Sequence, residues 1–247
     1  MQRPLPRWFA HRGGGSLAPE NTLAGIRLAA RLGFRAVEFD VMLSGDGTPV
    51  LIHDETLERT TSGVGRVCDT PDAVLFALDA GQGERIPRFV EAADLCRELG
   101  LLANVEIKPA SGYEQATAAV VSRLTAELWR GAAVPPLISS FSLEALEIAR
   151  DLAPEIDRGV LFEAVHAQWL DDMRRLQAVS LHCDAQLLGD EVLAEAAVRN
   201  IPVLCYTVNH PEMAKALVGR GVSSMFTDRL DLFAPLTGAG DGLHSGG

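Results

Sequence analysis

The apolar positions of the chain fall into short runs separated by stretches with helical spacing. Eight β-rich runs can be picked out, "RWFAH", "RAVEFD", "ANVEIK", "PLISSF", "RGVLFE", "AVSLHCD", "PVLCYTV" and "SSMFTD", and each is followed by a segment of helical periodicity. Strands that alternate with helices in this way predict a parallel sheet, and eight repeats of the unit predict an α/β protein of the (β/α)8 TIM-barrel class with its helices outside. The first helix shows the pattern. Asn21 or Thr22 is placed to cap it, Leu23, Ile26 and Ala30 share one face, Arg27 and Arg31 take the outer face, and Gly33 ends it.

One segment departs from the rhythm. More than sixty residues separate "RAVEFD" from "ANVEIK", about twice what a helix and two loops require. Within it, "FDVMLSGDGTPVLIHD" reads as a hairpin, with alternation on both sides of an Asp46-Gly47 turn. A strand that leaves the barrel mouth and folds back returns its far end, His53-Asp54, toward that mouth. The predicted organisation is one barrel domain over residues 1–236, with a small insertion after the second barrel strand at about residues 54–87. The glycine-rich tail, 237–247, is expected to be disordered.

Composition narrows the partners. A hydrophobic share of 47% supports a sizeable core, and no apolar run approaches the ~18 residues of a membrane span. The opening "MQRPLPRWFA" lacks a basic region followed by an apolar stretch, so a cytoplasmic location is expected. Cys68, Cys96, Cys183 and Cys205 have no metal-ligand spacing and read as reduced core residues. A formal net charge of -11 disfavours nucleic acid and anionic membrane surfaces, because both repel an acidic field. An anionic ligand would need its positive charge supplied locally.

That local charge is visible at the strand ends. His11, Glu38, Asp40, Glu106, Lys108, Glu163, His182 and Asp228 all lie at or near the C-terminal ends of their strands, where barrel enzymes build active sites. Glu38 and Asp40 are two apart on one strand and so share a face, and Glu106 and Lys108 repeat the spacing on the next barrel strand. Two carboxylates at ~4 Å repel by roughly 4 kcal/mol at an effective dielectric near 20, so three together require a cation or altered protonation. Oxygen ligands favour Mg²⁺ or Ca²⁺ over zinc. Ion pairing of Lys108 with Glu106 is the alternative explanation of the same charges.

His11 and His53 at the mouth are candidates for general acid and base, since imidazole titrates near neutral pH. Arg12 can fork onto a phosphate, with Lys108 as a second positive contact. Gly13, Gly14 and Gly15 would leave room above them, although the Gly-Lys-Ser/Thr ending of a P-loop is absent. His166, His210 and His244 read as surface residues. His182 could line the mouth or be a buried hydrogen-bonding residue.

In this order, "HRGGGSLAPENT", "EFDVMLSGDGTPVLIHD", "NVEIKP", "SSF", "YTVN" and "FTD" resemble the glycerophosphodiester phosphodiesterases from about Trp8 to Pro235. The resemblance implies a TIM barrel with a small insertion and release of sn-glycerol 3-phosphate and an alcohol from a small glycerophosphodiester, such as glycerophosphocholine or glycerophosphoethanolamine. It places Glu38, Asp40 and Glu106 on one divalent cation, makes His11 and His53 the acid/base pair, and makes Arg12 and Lys108 the phosphate contacts. No stable membrane association is expected. Two rival readings are a barrel of the same fold acting on lysophospholipids and a catalytically silent sensor of glycerophosphodiesters. Many relatives carry Trp where this chain has Tyr206, which bears on the alcohol pocket. Aromatic residues are only 6% of the chain, and Phe141, Phe162 and Tyr206 are the few candidates to meet the alcohol. Specificity is therefore expected mainly on the glycerol phosphate side.

Overall fold

In the computed structural model, residues 4–237 are described. In chain order, β1 (Trp8–Ala10) leads to α1 (Leu23–Arg31), then to β2 (Ala36–Leu43) and the short β3 (Pro49–Leu51). A helical turn, α2 (Asp72–Leu75), precedes α3 (Phe89–Leu99) and β4 (Leu102–Ile107). The remaining alternation is regular: α4 (Glu114–Leu128), β5 (Leu137–Ser140), α5 (Leu143–Leu152), β6 (Asp157–Phe162), α6 (Trp169–Leu176), β7 (Ser180–Asp184), α7 (Asp190–Val198), β8 (Val203–Tyr206), α8 (Pro211–Gly219), β9 (Ser224–Thr227) and α9 (Leu230–Thr237).

Eight parallel strands close on themselves, because β1 pairs with β9 on one side and with β2 on the other, through Ala10 opposite Thr227 and Val37. The result is a (β/α)8 barrel, and all eight runs picked out in the sequence are its strands. The hairpin forms as read from the pattern, with Val41, Met42 and Leu43 antiparallel to Leu51, Val50 and Pro49, and Gly47 in the left-handed region at φ 80°. Thr22 is the cap of α1, accepting from Gly25 N. Asn21 is used elsewhere. Of the expected tail, Thr237 ends α9, and residues 238–247, His244 included, lie outside the described residues.

Period-two alternation sorts the strand residues into two sets. Outward side chains such as Trp8, Val37, Phe39, Val41, Val105 and Ile107 pack against the helices in the main core. Inward, Phe9, Ala36, Leu102, Leu137, Leu204 and Phe226 fill the lower barrel. With the N-terminal end sealed by apolar side chains, the polar inward residues cluster at the C-terminal end. A second apolar cluster, including Met42, Val50, Ile52, Leu57, Val67 and Leu75, packs residues after β3 onto the hairpin. This clamp holds His53 and its neighbours against the barrel mouth. The four cysteines are free and buried, and no described helix is long and apolar enough to cross a membrane.

Candidate active site

A cavity of about 490 Å³ opens at the C-terminal ends of the strands, lined by His11, Arg12, Glu38, Asp40, His53, Glu106 and Lys108. The seven residues to which the resemblance gives metal, acid/base and phosphate roles therefore meet in one place. Register explains the acidic part: Asp40 stands opposite Glu106 and Glu38 opposite Asn104 on paired strands, all facing inward. A ligand oxygen from each of Glu38, Asp40 and Glu106 lies within 4.8 Å of the others. The three residues are at most 7% exposed.

Such crowding makes full ionisation costly. Burial, with the charges of Asp40 and Glu106 added, raises Glu38 well above the usual carboxylate range. Burial and then Asp40 push Glu106 up to about 8. Asp40 goes the other way: burial alone would raise it, but Lys108, His53 and Arg12 together bring it below its ordinary value. Glu38 Oε1 and Glu106 Oε1 are buried with no hydrogen-bond partner among the described residues. Two orphaned carboxylate oxygens beside a third carboxylate form a donor set that a metal ion would suit, since it would satisfy the oxygens and remove the repulsion at once. The site thus contains a buried acidic group able to hold a metal ion. The ion-pair alternative accounts for part of the charge only, since Lys108 Nζ is 3.5 Å from Asp40 Oδ1 and 3.8 Å from Glu106 Oε1.

The two histidines have matched supports. His11 Nδ1 is 2.7 Å from Asp228 Oδ1, and His53 Nδ1 is 2.6 Å from Asp54 Oδ1. A carboxylate can only accept, so each Nδ1 carries the proton and each Nε2 is left for the cavity. His11 Nε2 stands 3.8 Å from Glu38 Oε2. His53 Nε2 accepts from Lys108 Nζ at 2.5 Å, which fixes its neutral tautomer. Burial, joined by the charges of Lys108 and Arg12, lowers the His53 pKa against the opposing pull of Asp40 and Asp54.

The glycines have a different purpose from the one expected. None of Gly13, Gly14 and Gly15 lines the cavity. A Cβ on Gly14 would sit 2.7 Å from Ala18 Cβ and 2.8 Å from Gly25 Cα, and one on Gly15 would collide with the Asp228 carbonyl oxygen. They let the loop press onto α1 and the end of β9, with Arg12 at φ 49°. In that bent conformation Arg12 N donates to Glu38 Oε2 at 2.8 Å. Room for a phosphate is left by the cavity itself.

Several site residues were weakly signalled or missed. Asn21, at φ 55°, clamps Asp40 from two sides: its Nδ2 donates to Asp40 Oδ2 at 2.9 Å and its Oδ1 accepts from Asp40 N at 3.1 Å. Glu20 accepts from Arg12 at 3.0 Å, and Asn209 of "YTVN" donates to Asp228 Oδ2 at 2.9 Å. Only adjacency to His53 could have drawn attention to Asp54. His182 is fully buried, bonded through Nε2 to Ser180 Oγ at 2.9 Å and pushed down to about 3 by burial, so it is the hydrogen-bonding core residue of the two options. His166 and His210 are exposed.

Part of the cavity lining is aromatic. Phe141 and Tyr206 meet there edge to face, 5.8 Å apart, and the exposed carboxylate Glu163 lies with them. Phe162 is instead buried in the helix-facing core. A separate cavity of about 410 Å³ at the opposite end of the barrel, around Leu5, Pro135 and Pro202, holds no comparable set of titratable groups.

Residues 11–232 match the Glycerophosphoryl diester phosphodiesterase family. A glycerophosphodiester phosphodiesterase of Caldanaerobacter subterraneus subsp. tengcongensis is 31% identical over 231 residues, covering 89% of this chain and 93% of that protein. Among solved structures, an Oleispira antarctica phosphodiesterase in complex with the product sn-glycerol-3-phosphate superposes with a TM-score of 0.86 at 38% identity, covering 91% of this chain and 93% of that one. A glycerophosphodiester phosphodiesterase of Agrobacterium tumefaciens gives a TM-score of 0.77 at 26% identity, over 94% of this chain and all of that one (100%). With the barrel, the acidic cluster and the two supported histidines already in place, these matches show that the chain belongs to the glycerophosphoryl diester phosphodiesterase family and is a phosphodiesterase of that kind.

Proposed function

We propose that the protein hydrolyses small glycerophosphodiesters, glycerophosphocholine and glycerophosphoethanolamine among them, to sn-glycerol 3-phosphate and an alcohol in the cytoplasm. The observation that carries the reading is the placement of two carboxylate-supported imidazoles, a guanidinium and an ammonium around three buried carboxylates in one cavity. Glu38, Asp40 and Glu106 would hold one Mg²⁺ or Ca²⁺, which supplies Lewis-acid stabilisation of the charge that develops at phosphorus. The relative from Oleispira antarctica, solved with sn-glycerol-3-phosphate, supports the identity of the product. Four free, buried thiols suit a reducing compartment.

Arg12 and Lys108 hold the phosphate oxygens and offset their charge as the transition state forms. His53 is the base: it is neutral, its pKa is lowered, and its Nε2 already accepts a hydrogen bond. When Lys108 turns from Nε2 to the phosphate, the freed lone pair takes the proton of the attacking hydroxyl, either from water directly or from the neighbouring glycerol, whose cyclic phosphate water then opens. His11 is the acid, giving a proton from Nε2 to the departing alkoxide while Asp228 holds Nδ1 and stabilises the charged ring. Each transfer is worth ~10²–10⁴ in rate.

Turnover of glycerophosphocholine, followed as sn-glycerol 3-phosphate through a coupled dehydrogenase with and without EDTA, tests reaction, bond cleaved and cation together. Release of glycerol and phosphocholine, or full activity in chelator, would contradict it. Rates on lysophosphatidylcholine vesicles equal to those on the soluble diester would shift the substrate class.

A further inference from the structure

His53 and Arg12 enter the cavity from different parts of the chain, one at the end of the hairpin and one in the loop after β1. A single side chain that does not line the cavity connects them. Arg59, on the segment that follows β3, forks onto Asp54 through Nε to Oδ2 at 2.5 Å and Nη2 to Oδ1 at 3.0 Å. It also forks onto Glu20, through Nη1 to Oε2 and Nη2 to Oε1, both at 2.8 Å. The two oxygens shared by Nη2 are the ones that matter. Asp54 Oδ1 accepts from His53 Nδ1 at 2.6 Å, and Glu20 Oε1 accepts from Arg12 Nη1 at 3.0 Å.

The path His53–Asp54–Arg59–Glu20–Arg12 is therefore continuous, with acids and bases alternating. We infer that Arg59 is a positioning residue that sets His53 and Arg12 relative to one another, through Asp54 and Glu20, without touching the substrate. An isolated exposed ion pair contributes little, and Arg59 is 48% exposed. Here the pairs are bidentate on both sides and joined, which is the case in which geometry is conveyed. Charge acts in the same direction. With Arg59 gone, Glu20 keeps Arg12 as its remaining partner and draws it from the phosphate, while Asp54 loses the fork that aligns it on His53. Lysine cannot restore this arrangement, because one ammonium does not reproduce two planar forks.

The inference rests on the proposed roles of His53 and Arg12, so wild-type turnover of glycerophosphocholine is the control that separates the two. No turnover by wild type defeats the proposed function, whereas turnover with an unaffected Arg59 variant defeats this inference alone. The arms should split: Glu20→Gln mainly raises KM, acting through Arg12, and Asp54→Asn mainly lowers kcat, acting through His53. Arg59→Ala is expected to lower kcat/KM about 10–100-fold through both parameters, and Arg59→Lys to recover only part of it. In the Glu20→Gln/Asp54→Asn background, Arg59→Ala should cost less than about twofold, since its two routes are already cut. Assays are run well below the melting point of each variant, and Arg59→Lys answers the question if Arg59→Ala does not fold. Wild-type kinetics in Arg59→Ala, or the same loss in the double-variant background as in wild type, would overturn the inference.

Discussion

His11 Nδ1 lies 2.7 Å from Asp228 Oδ1, a bond that joins the ends of the first and last barrel strands across the closure of the sheet. Asp228 is held in turn by Asn209, and although burial alone would raise its pKa, the contacts with His11 and Asn209 bring it below the ordinary value. It remains a carboxylate at neutral pH and keeps the proton on His11 Nδ1. Asp228→Asn should therefore lower kcat about 10–100-fold with KM changed less than about threefold, because ring orientation and charge support are lost while the phosphate contacts stay. Steady-state kinetics decide it. A change confined to KM would mean that Asp228 serves binding.

The assignment of His53 as base and His11 as acid makes opposite demands on the leaving group. A glycerophosphodiester with a p-nitrophenyl leaving group departs without a proton, so general-acid help is no longer needed. His11→Ala should then approach wild type, within about tenfold, on the aryl ester, while losing ~10²–10⁴ on glycerophosphocholine. His53→Ala should be crippled on both. If the pattern is reversed, the two roles exchange.

Protonation of the acidic cluster links stability to cation uptake. Burial and Asp40 push Glu106 up to about 8 and burial raises Glu38 as well, so without a cation the folded state carries protons there that the unfolded chain has released. A raised carboxylate stabilises fully below the ordinary carboxylate range, and that contribution is lost as pH rises toward about 8, at up to ~1.4 kcal/mol per pH unit per proton. The melting point of chelated protein should accordingly fall between pH 6 and 9. Mg²⁺ or Ca²⁺ should raise it by an increment that grows with pH, with protons released on binding. Glu106→Gln should flatten the chelated profile and weaken cation binding. A cation-induced shift independent of pH would count against three carboxylates as the ligands.

How much of this was legible depends on whether partners were close in sequence or one rule apart. Glu38 with Asp40, and Glu106 with Lys108, could be read because alternation on a strand requires them to share a face. Alternation left open which way that face points, and the structure turns it inward by packing Phe39 and Ile107 into the helix-facing core. His53 was placed at the mouth by hairpin geometry. The glycines were misread because their reasons are distant: Gly14 meets Ala18 and Gly25, and Gly15 meets Asp228. Arg59 was invisible for the same reason, since Glu20 is 39 positions away and no periodicity joins them. Likewise, that Phe141 and Tyr206 face the cavity while Phe162 faces the helices depends on how each strand end turns out of the barrel.

That orientation bears on the leaving alcohol. Tyr206 is held by its hydroxyl, which donates to the Phe162 carbonyl at 2.9 Å, and Phe141 packs against the ring at 78°. Beside them Glu163 offers a carboxylate on the wall away from Arg12 and Lys108, so the anionic phosphate is drawn to one side and a cationic alcohol is favoured on the other. Two rings in contact with each other do not enclose a cation, however, and Phe141 is 46% exposed. A partly solvated cation–π contact gives about 0.5–1 kcal/mol, against ~2 or more in a closed cage. The exposed carboxylate adds a screened attraction of similar size. The choline and ethanolamine esters should therefore exceed the neutral glycerol ester in kcat/KM, but by no more than about tenfold, equivalent to about 1.4 kcal/mol. Glu163→Gln should reduce that difference to about twofold by slowing the cationic substrates alone. Equal losses on all three esters would place Glu163 against the shared glycerol half, and a hundredfold preference for choline would require an enclosure that Phe141 and Tyr206 do not form.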